Sequence, residues 1–141
     1  MDDVLDRLRA AAPEALAGEP VVVAYLFGSQ ARGTARADSD VDVAALLAPE
    51  VPAATYLDAQ LRIAQKLSDA AHLGDVDVVV LNDAPLPLRG RVVHDRQVVY
   101  CTDEPARVEY ESLTFREFVD FRVHAEQTDR ELLARHAQGR R

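Results

Sequence analysis

The chain has a single cysteine, Cys101, so it cannot form an internal disulfide, which is compatible with a reducing, cytoplasmic setting. Cys101 follows the apolar run Val98-Val99-Tyr100, which predicts a buried, inert thiol. Tryptophan is absent, and Lys66 is the only lysine. With no Gly-x-x-x-x-Gly-Lys-[Ser/Thr] segment, a P-loop enzyme is excluded. Positive charge is short overall: 16 basic against 24 acidic side chains leave a net charge of −8. That field opposes an extended nucleic-acid track, and so a polymerase or a tRNA-tailing enzyme, but not one nucleotide held through metal ions. No apolar run reaches the length of a membrane span, and the start Met-Asp-Asp-Val-Leu-Asp does not read as a signal peptide. The four histidines, at 72, 94, 124 and 136, have no close metal-ligand spacing and read as surface or helix-end residues.

What the chain does have is concentrated between residues 21 and 43. Val21 to Phe27 is a continuous apolar run rich in β-branched residues, the pattern of a buried strand. Gly28 breaks it, and its missing Cβ allows a ligand close to the backbone. Ser29 reads as the N-cap of a short helical turn through Gln30, Ala31 and Arg32, offering N–H groups and a hydroxyl to an anion. Downstream, Asp40-Val41-Asp42-Val43-Ala44-Ala45 alternates, so Asp40 and Asp42 share one strand face. Two carboxylates at that spacing repel unless a cation joins them, and an oxygen-only ligand set suits Mg²⁺ or Mn²⁺.

A further carboxylate comes from Gly74-Asp75-Val76-Asp77-Val78-Val79-Val80-Leu81, a strand entered through a glycine turn. Asp75 and Asp77 share a face, so alternation does not choose between them. Asp77 is preferred as the third acid, because a carboxylate inside an apolar run needs a stronger reason to be there. Asp75 then reads as an entry-turn residue.

At 141 residues the chain is expected to be one domain, with a catalytic core over about 20–101 and a C-terminal helix over about 105–136. Helical periodicity covers 3–17, with Pro13 predicting a kink or break. It recurs over 53–71, where Leu57, Leu61, Ala64, Leu67 and Ala71 are expected to face inward. Strands are expected at 21–27, 40–47, 75–81 and 97–101, with a helical segment from Pro85 to His94. Thr102 or Asp103 would cap the last helix, with Pro105 near its first position. The alternation of helices and strands predicts an α/β (α+β) domain with a mixed sheet, helices on one face and a wet acidic cleft on the other. Phe115, Phe118 and Phe121 form a drifting stripe on the last helix that its own sheet is not required to cover in full.

Leu-Phe-Gly-Ser, Ala-Arg-Gly-Thr-Ala, Ser-Asp-Val-Asp-Val-Ala and Val-Asp-Val-Val-Val-Leu-Asn together resemble the DNA polymerase β nucleotidyltransferase superfamily. The chain looks most like its minimal prokaryotic members, the antitoxin-type partners of HEPN toxins, from Val21 to about Asp120. Gln30 departs from the arginine that relatives often carry there, at the expense of a phosphate contact. The resemblance implies a polymerase-β-like fold and transfer of AMP from ATP to a hydroxyl. Asp40, Asp42 and Asp77 would be the metal-binding and catalytic acids, around two Mg²⁺ ions about 3.5–4 Å apart. Gly28, Ser29 and Arg32 would bind the nucleotide, while Arg36 reads as a solvated charge. The implied acceptor is a tyrosine of a HEPN ribonuclease toxin. An aminoglycoside-like small molecule, and a non-catalytic antitoxin that masks its toxin, are the rival readings; an oligomer is compatible with either.

Overall fold

The computed structural model describes residues 3–33 and 40–138, without the side chains of Arg32 and of residues 136–138. Helix α1 spans Val4–Ala15, capped by Asp3, whose carboxylate accepts the Asp6 N–H at 2.8 Å. It continues past Pro13 rather than breaking there. Pro13 lies in the last turn, so the missing N–H costs little more than the bond to the Arg9 carbonyl. Strand β1 (Val21–Phe27) leads through Gly28 into the four-residue α2 (Ser29–Arg32). Strand β2 (Val41–Leu47) is followed by a 3₁₀ turn at Ala53–Thr55 and by α3 (Tyr56–Ala71). Strand β3 (Val76–Val80), a second 3₁₀ turn at Leu81–Asp83, α4 (Leu86–Asp95), β4 (Gln97–Cys101) and α5 (Glu104–Gln138) complete the order.

The sheet order is β3-β2-β1-β4. β1 is antiparallel to β2 and to β4, while β2 and β3 are parallel. Parallel pairing of consecutive strands requires a crossover, and α3 supplies it. One sheet face buries Val41, Val43, Ala45 and Leu47 with Ala24 and Leu26, beneath α1 and α3. On the other face Val23, Tyr25 and Ala44 pack with Leu81 and Val92, and with Leu88 and Tyr110 at their margin. The main helical layer therefore lies on one face, and α4 with the first turns of α5 adds partial cover on the other.

Helix α3 corrects one expectation. Its inward row is Ala59, Ile63, Leu67 and Ala71, whereas Leu57 and Leu61 are 64% and 63% exposed. Both rows satisfy a 3.6-residue period, so periodicity does not rank them. Leu67 and Ala71 belong to both rows and are inward as expected; small Ala59 lets the start of the helix lie close to the sheet, which Leu57 or Leu61 would not.

Helix α5 is capped by Asp103, whose carboxylate accepts the Ala106 N–H at 3.1 Å. Thr102 instead turns its hydroxyl to the Val21 and Val22 carbonyls. The first turns are tied to the sheet by buried Glu111, which accepts from the Tyr25 hydroxyl at 2.9 Å and from Arg107 at 2.8 Å. Burial and the Glu111 carboxylate push the Tyr25 phenol far above its ordinary range. Further along, Phe118 packs over Gly90 of α4, so closely that a Cβ on Gly90 would stand 2.3 Å from the ring. Phe115 and Phe121 remain exposed, so α4 rather than the sheet takes up the middle of the aromatic stripe.

Candidate active site

The site forms where the end of β1 lies beside the start of β2. Phe27, the last residue of β1, pairs with Asp42. Gly28 follows with φ 78° and ψ −153°, a conformation that side-chain-bearing residues rarely adopt. A Cβ there would meet Asp42 Oδ2 at 2.8 Å. The glycine therefore serves two local needs at once: it turns the chain out of the sheet, and it makes room for the carboxylate. Ser29 is the first residue of α2, and Gly28 occupies the cap position without a side-chain cap bond. The expected N-cap role of Ser29 is thus corrected by one position.

The β2–β3 register places Asp77 beside Asp42 on parallel neighbouring strands. Asp75 precedes β3, where its carbonyl accepts the Val41 N–H at 3.4 Å. Asp42 is half-buried, and Asp40 and Asp77 are exposed. Burial, followed by the charges of Asp77 and Asp40, raises the Asp42 pKa above its ordinary value. Asp75 is not among those charges. Among the described residues no three acidic, histidine or cysteine side chains are already gathered as a metal cluster. The donor set nonetheless fits a hard divalent cation. It offers carboxylate oxygens only, and their mutual repulsion is what such an ion relieves.

The Gly28 N–H donates to Asp95 Oδ2 at 3.3 Å. Asp95 carries no local sequence signal; it is simply the last residue of α4. The Arg32 side chain, Arg36 and the stretch Ala37-Asp38-Ser39 lie outside the described structure. Cys101, expected to be buried, is half-buried, and burial raises its thiol pKa. Among the described residues no helix is long and apolar enough to cross a membrane.

This geometry coincides with a family match. Residues 14–105 fit the family described as polymerase beta, nucleotidyltransferase. A curated relative, the protein adenylyltransferase MntA of Shewanella oneidensis, is 39% identical over 82 residues, 57% of this chain. The match spans about half of that relative, 54% of its length. Among solved structures, a toxin–antitoxin complex with AMP-PNP aligns at TM-score 0.62 and 26% identity, over 92% of this chain and 98% of that one. A tri-AMPylated Shewanella oneidensis HEPN toxin in complex with an MNT antitoxin aligns at TM-score 0.63 and 21% identity, over 92% and 99% of the two chains, a likeness of fold. The family match runs over well more than half of the chain and takes in the Gly28 turn and both acidic strands, so this protein belongs to the polymerase β nucleotidyltransferase family.

Proposed function

We propose that the protein is a metal-dependent nucleotidyltransferase that moves AMP from ATP to a tyrosine hydroxyl of a HEPN-type ribonuclease toxin, and so acts as its antitoxin. The observation that carries this reading is the Asp42–Asp77 pair at the foot of the Gly28 turn. Two repelling carboxylates held side by side have no structural use in a binding module, and masking a toxin needs no acidic cluster. Adenylyl transfer is the activity named for the Shewanella relative, and AMP-PNP accompanies the 26%-identical toxin–antitoxin structure.

Asp40, Asp42 and Asp77 would hold the Mg²⁺ ions, and Ser29 with the turn around it would hold the triphosphate. The bound ions would acidify the acceptor hydroxyl and neutralise the departing pyrophosphate. In the transfer, the acceptor oxygen bonds to the α-phosphorus as the α–β bridging P–O bond breaks. Pyrophosphate leaves, and Asp77 would take the acceptor proton.

The partner reading is supported by α5. Its Tyr110, Thr114 and Phe118 face the body of the protein, Val108 and Phe115 border a cavity against the end of α4, and Val119, Val123 and Leu133 are exposed. A helix apolar on two sides has more to bury than one sheet can cover. A basic, RNA-cleaving partner would also be drawn by the net charge of −8.

The test is to co-purify the protein with the helical product of the neighbouring gene and add ATP and Mg²⁺. The partner's intact mass should rise by whole AMP units, and EDTA should prevent it. A partner that binds but never gains mass would favour masking. Adenylylation of an aminoglycoside without any partner would favour the small-molecule reading.

A further inference from the structure

The α4–β4 junction delivers a fourth carboxylate to the site. Asp95 ends α4, and Arg96 reverses the chain with a left-handed φ of 43°, its N–H closing on the Val92 carbonyl. β4 then starts at once, with Gln97 paired to Leu26 of β1. This tight reversal brings Asp95 against the end of β1, where its Oδ2 accepts the Gly28 N–H at 3.3 Å. On its Cα side Gly28 has Asp42 Oδ2 within 2.8 Å of where a side chain would begin. Gly28 is therefore held between two carboxylates, one taking its N–H and the other filling its side-chain space.

We infer that Asp95 is a positioning residue: by holding the Gly28 N–H, it sets the angle at which the Gly28-Ser29 turn leaves β1, and hence where Ser29 stands relative to Asp42. A glycine has no side chain to restrict its own backbone, so an outside bond has more to fix here than at any other residue type. In this arrangement the Gly28 N–H is engaged by Asp95. Asp95 itself does not touch the nucleotide, which its negative charge would repel. The kinetic consequence rests on the nucleotidyltransferase reading; the bond does not.

Two measurements test this on the full chain: amide hydrogen exchange at Gly28, and ATP kinetics with the co-purified partner. In Asp95→Ala the Gly28 amide should exchange at least about tenfold faster, and the KM for ATP should rise about tenfold with kcat held within about threefold. Asp95→Asn keeps an acceptor oxygen and should stay within about threefold of the natural protein in both. Asp95→Ser, too short to reach, serves in place of the alanine variant if that one does not fold. Unchanged Gly28 exchange in the alanine or serine variant would overturn the inference. So would a lower KM for ATP, which would mark Asp95 as a competitor for the phosphate site. If the natural protein neither binds ATP nor transfers AMP, the proposed function fails, and Gly28 exchange still decides the role of Asp95.

Discussion

Asp42 and Asp77 stand side by side on parallel strands β2 and β3, and the charge of Asp77 helps to raise the Asp42 pKa. A folded-state pKa above the unfolded one means that the folded protein binds this proton more tightly. The resulting stability is complete below the ordinary carboxylate range and is lost as pH rises through the raised value. At neutral pH the ionised pair is then a net cost to folding. Asp42→Asn should therefore melt no lower than the natural protein at pH 7, while AMP transfer falls at least about 100-fold. Thermal melts across pH, with and without Mg²⁺, check both halves. Mg²⁺ should raise the melting temperature of the natural protein and have little effect on the variant.

The same register separates the two candidate acids at the start of β3. Asp77→Ala should lower turnover by about 1,000-fold, because it removes a metal ligand and a proton acceptor together. Asp75→Ala should cost less than about tenfold, since its carboxylate is not among the charges acting on Asp42. Single-turnover rates at saturating ATP make the comparison. A reversed order would require a different third acid.

Gly28→Ala combines a disfavoured backbone angle with a contact of 2.8 Å to Asp42 Oδ2. It should destabilise the fold by about 1–3 kcal/mol and suppress transfer by displacing the carboxylate. Gly18 has nothing within 4 Å of an added Cβ, so Gly18→Ala is the control and should leave transfer unchanged. Denaturant melts and transfer rates on the two variants decide it.

Glu19 offers an opposite pH signature at the other end of β1. Its side chain is only 2% exposed and is gripped by Arg62 at 2.7 Å and Lys66 at 2.6 Å. The Arg62 hydrogen bond leads the effects that lower its pKa from 4.5 to about 2, against the opposing pull of burial. Its stabilisation is present above 4.5 and is lost as pH falls toward 2. Glu19→Gln should cost about 1–3 kcal/mol at pH 7 and much less near pH 2, with transfer rates within about twofold. A melting-temperature difference that did not shrink in acid would contradict this.

On α5, the double substitution Val119→Asp with Val123→Asp should leave the melting temperature of the isolated protein within about 2 °C, because both side chains are already exposed. It should weaken capture of the HEPN-type partner by at least about tenfold, measured by calorimetry or co-purification. Unaltered binding would move the interface off this side of the helix.

The local chemistry of the chain was written plainly in its sequence. The β-branched run before Gly28 made a strand, and the Val41-Asp42-Val43-Ala44 alternation turned Asp42 away from the face of Val41 and Val43, because both features depend only on neighbouring residues, whereas Asp40, expected to open that strand, stands one residue before it. The family signature lay in the same stretches. Tertiary structure decided what neighbours do not encode. Alternation gave Asp75 and Asp77 the same face, and only the β2–β3 register set Asp77 beside Asp42. Periodicity allowed α3 two inward rows, and close packing on the sheet selected Ala59, Ile63, Leu67 and Ala71. Glu111 met Tyr25 across 86 positions, and Asp95 met Gly28 across 67. No repeat or spacing links such partners. They meet because α4 and α5 fold back over one sheet face, where buried Glu111 must find a donor and half-buried Asp95 takes the Gly28 N–H.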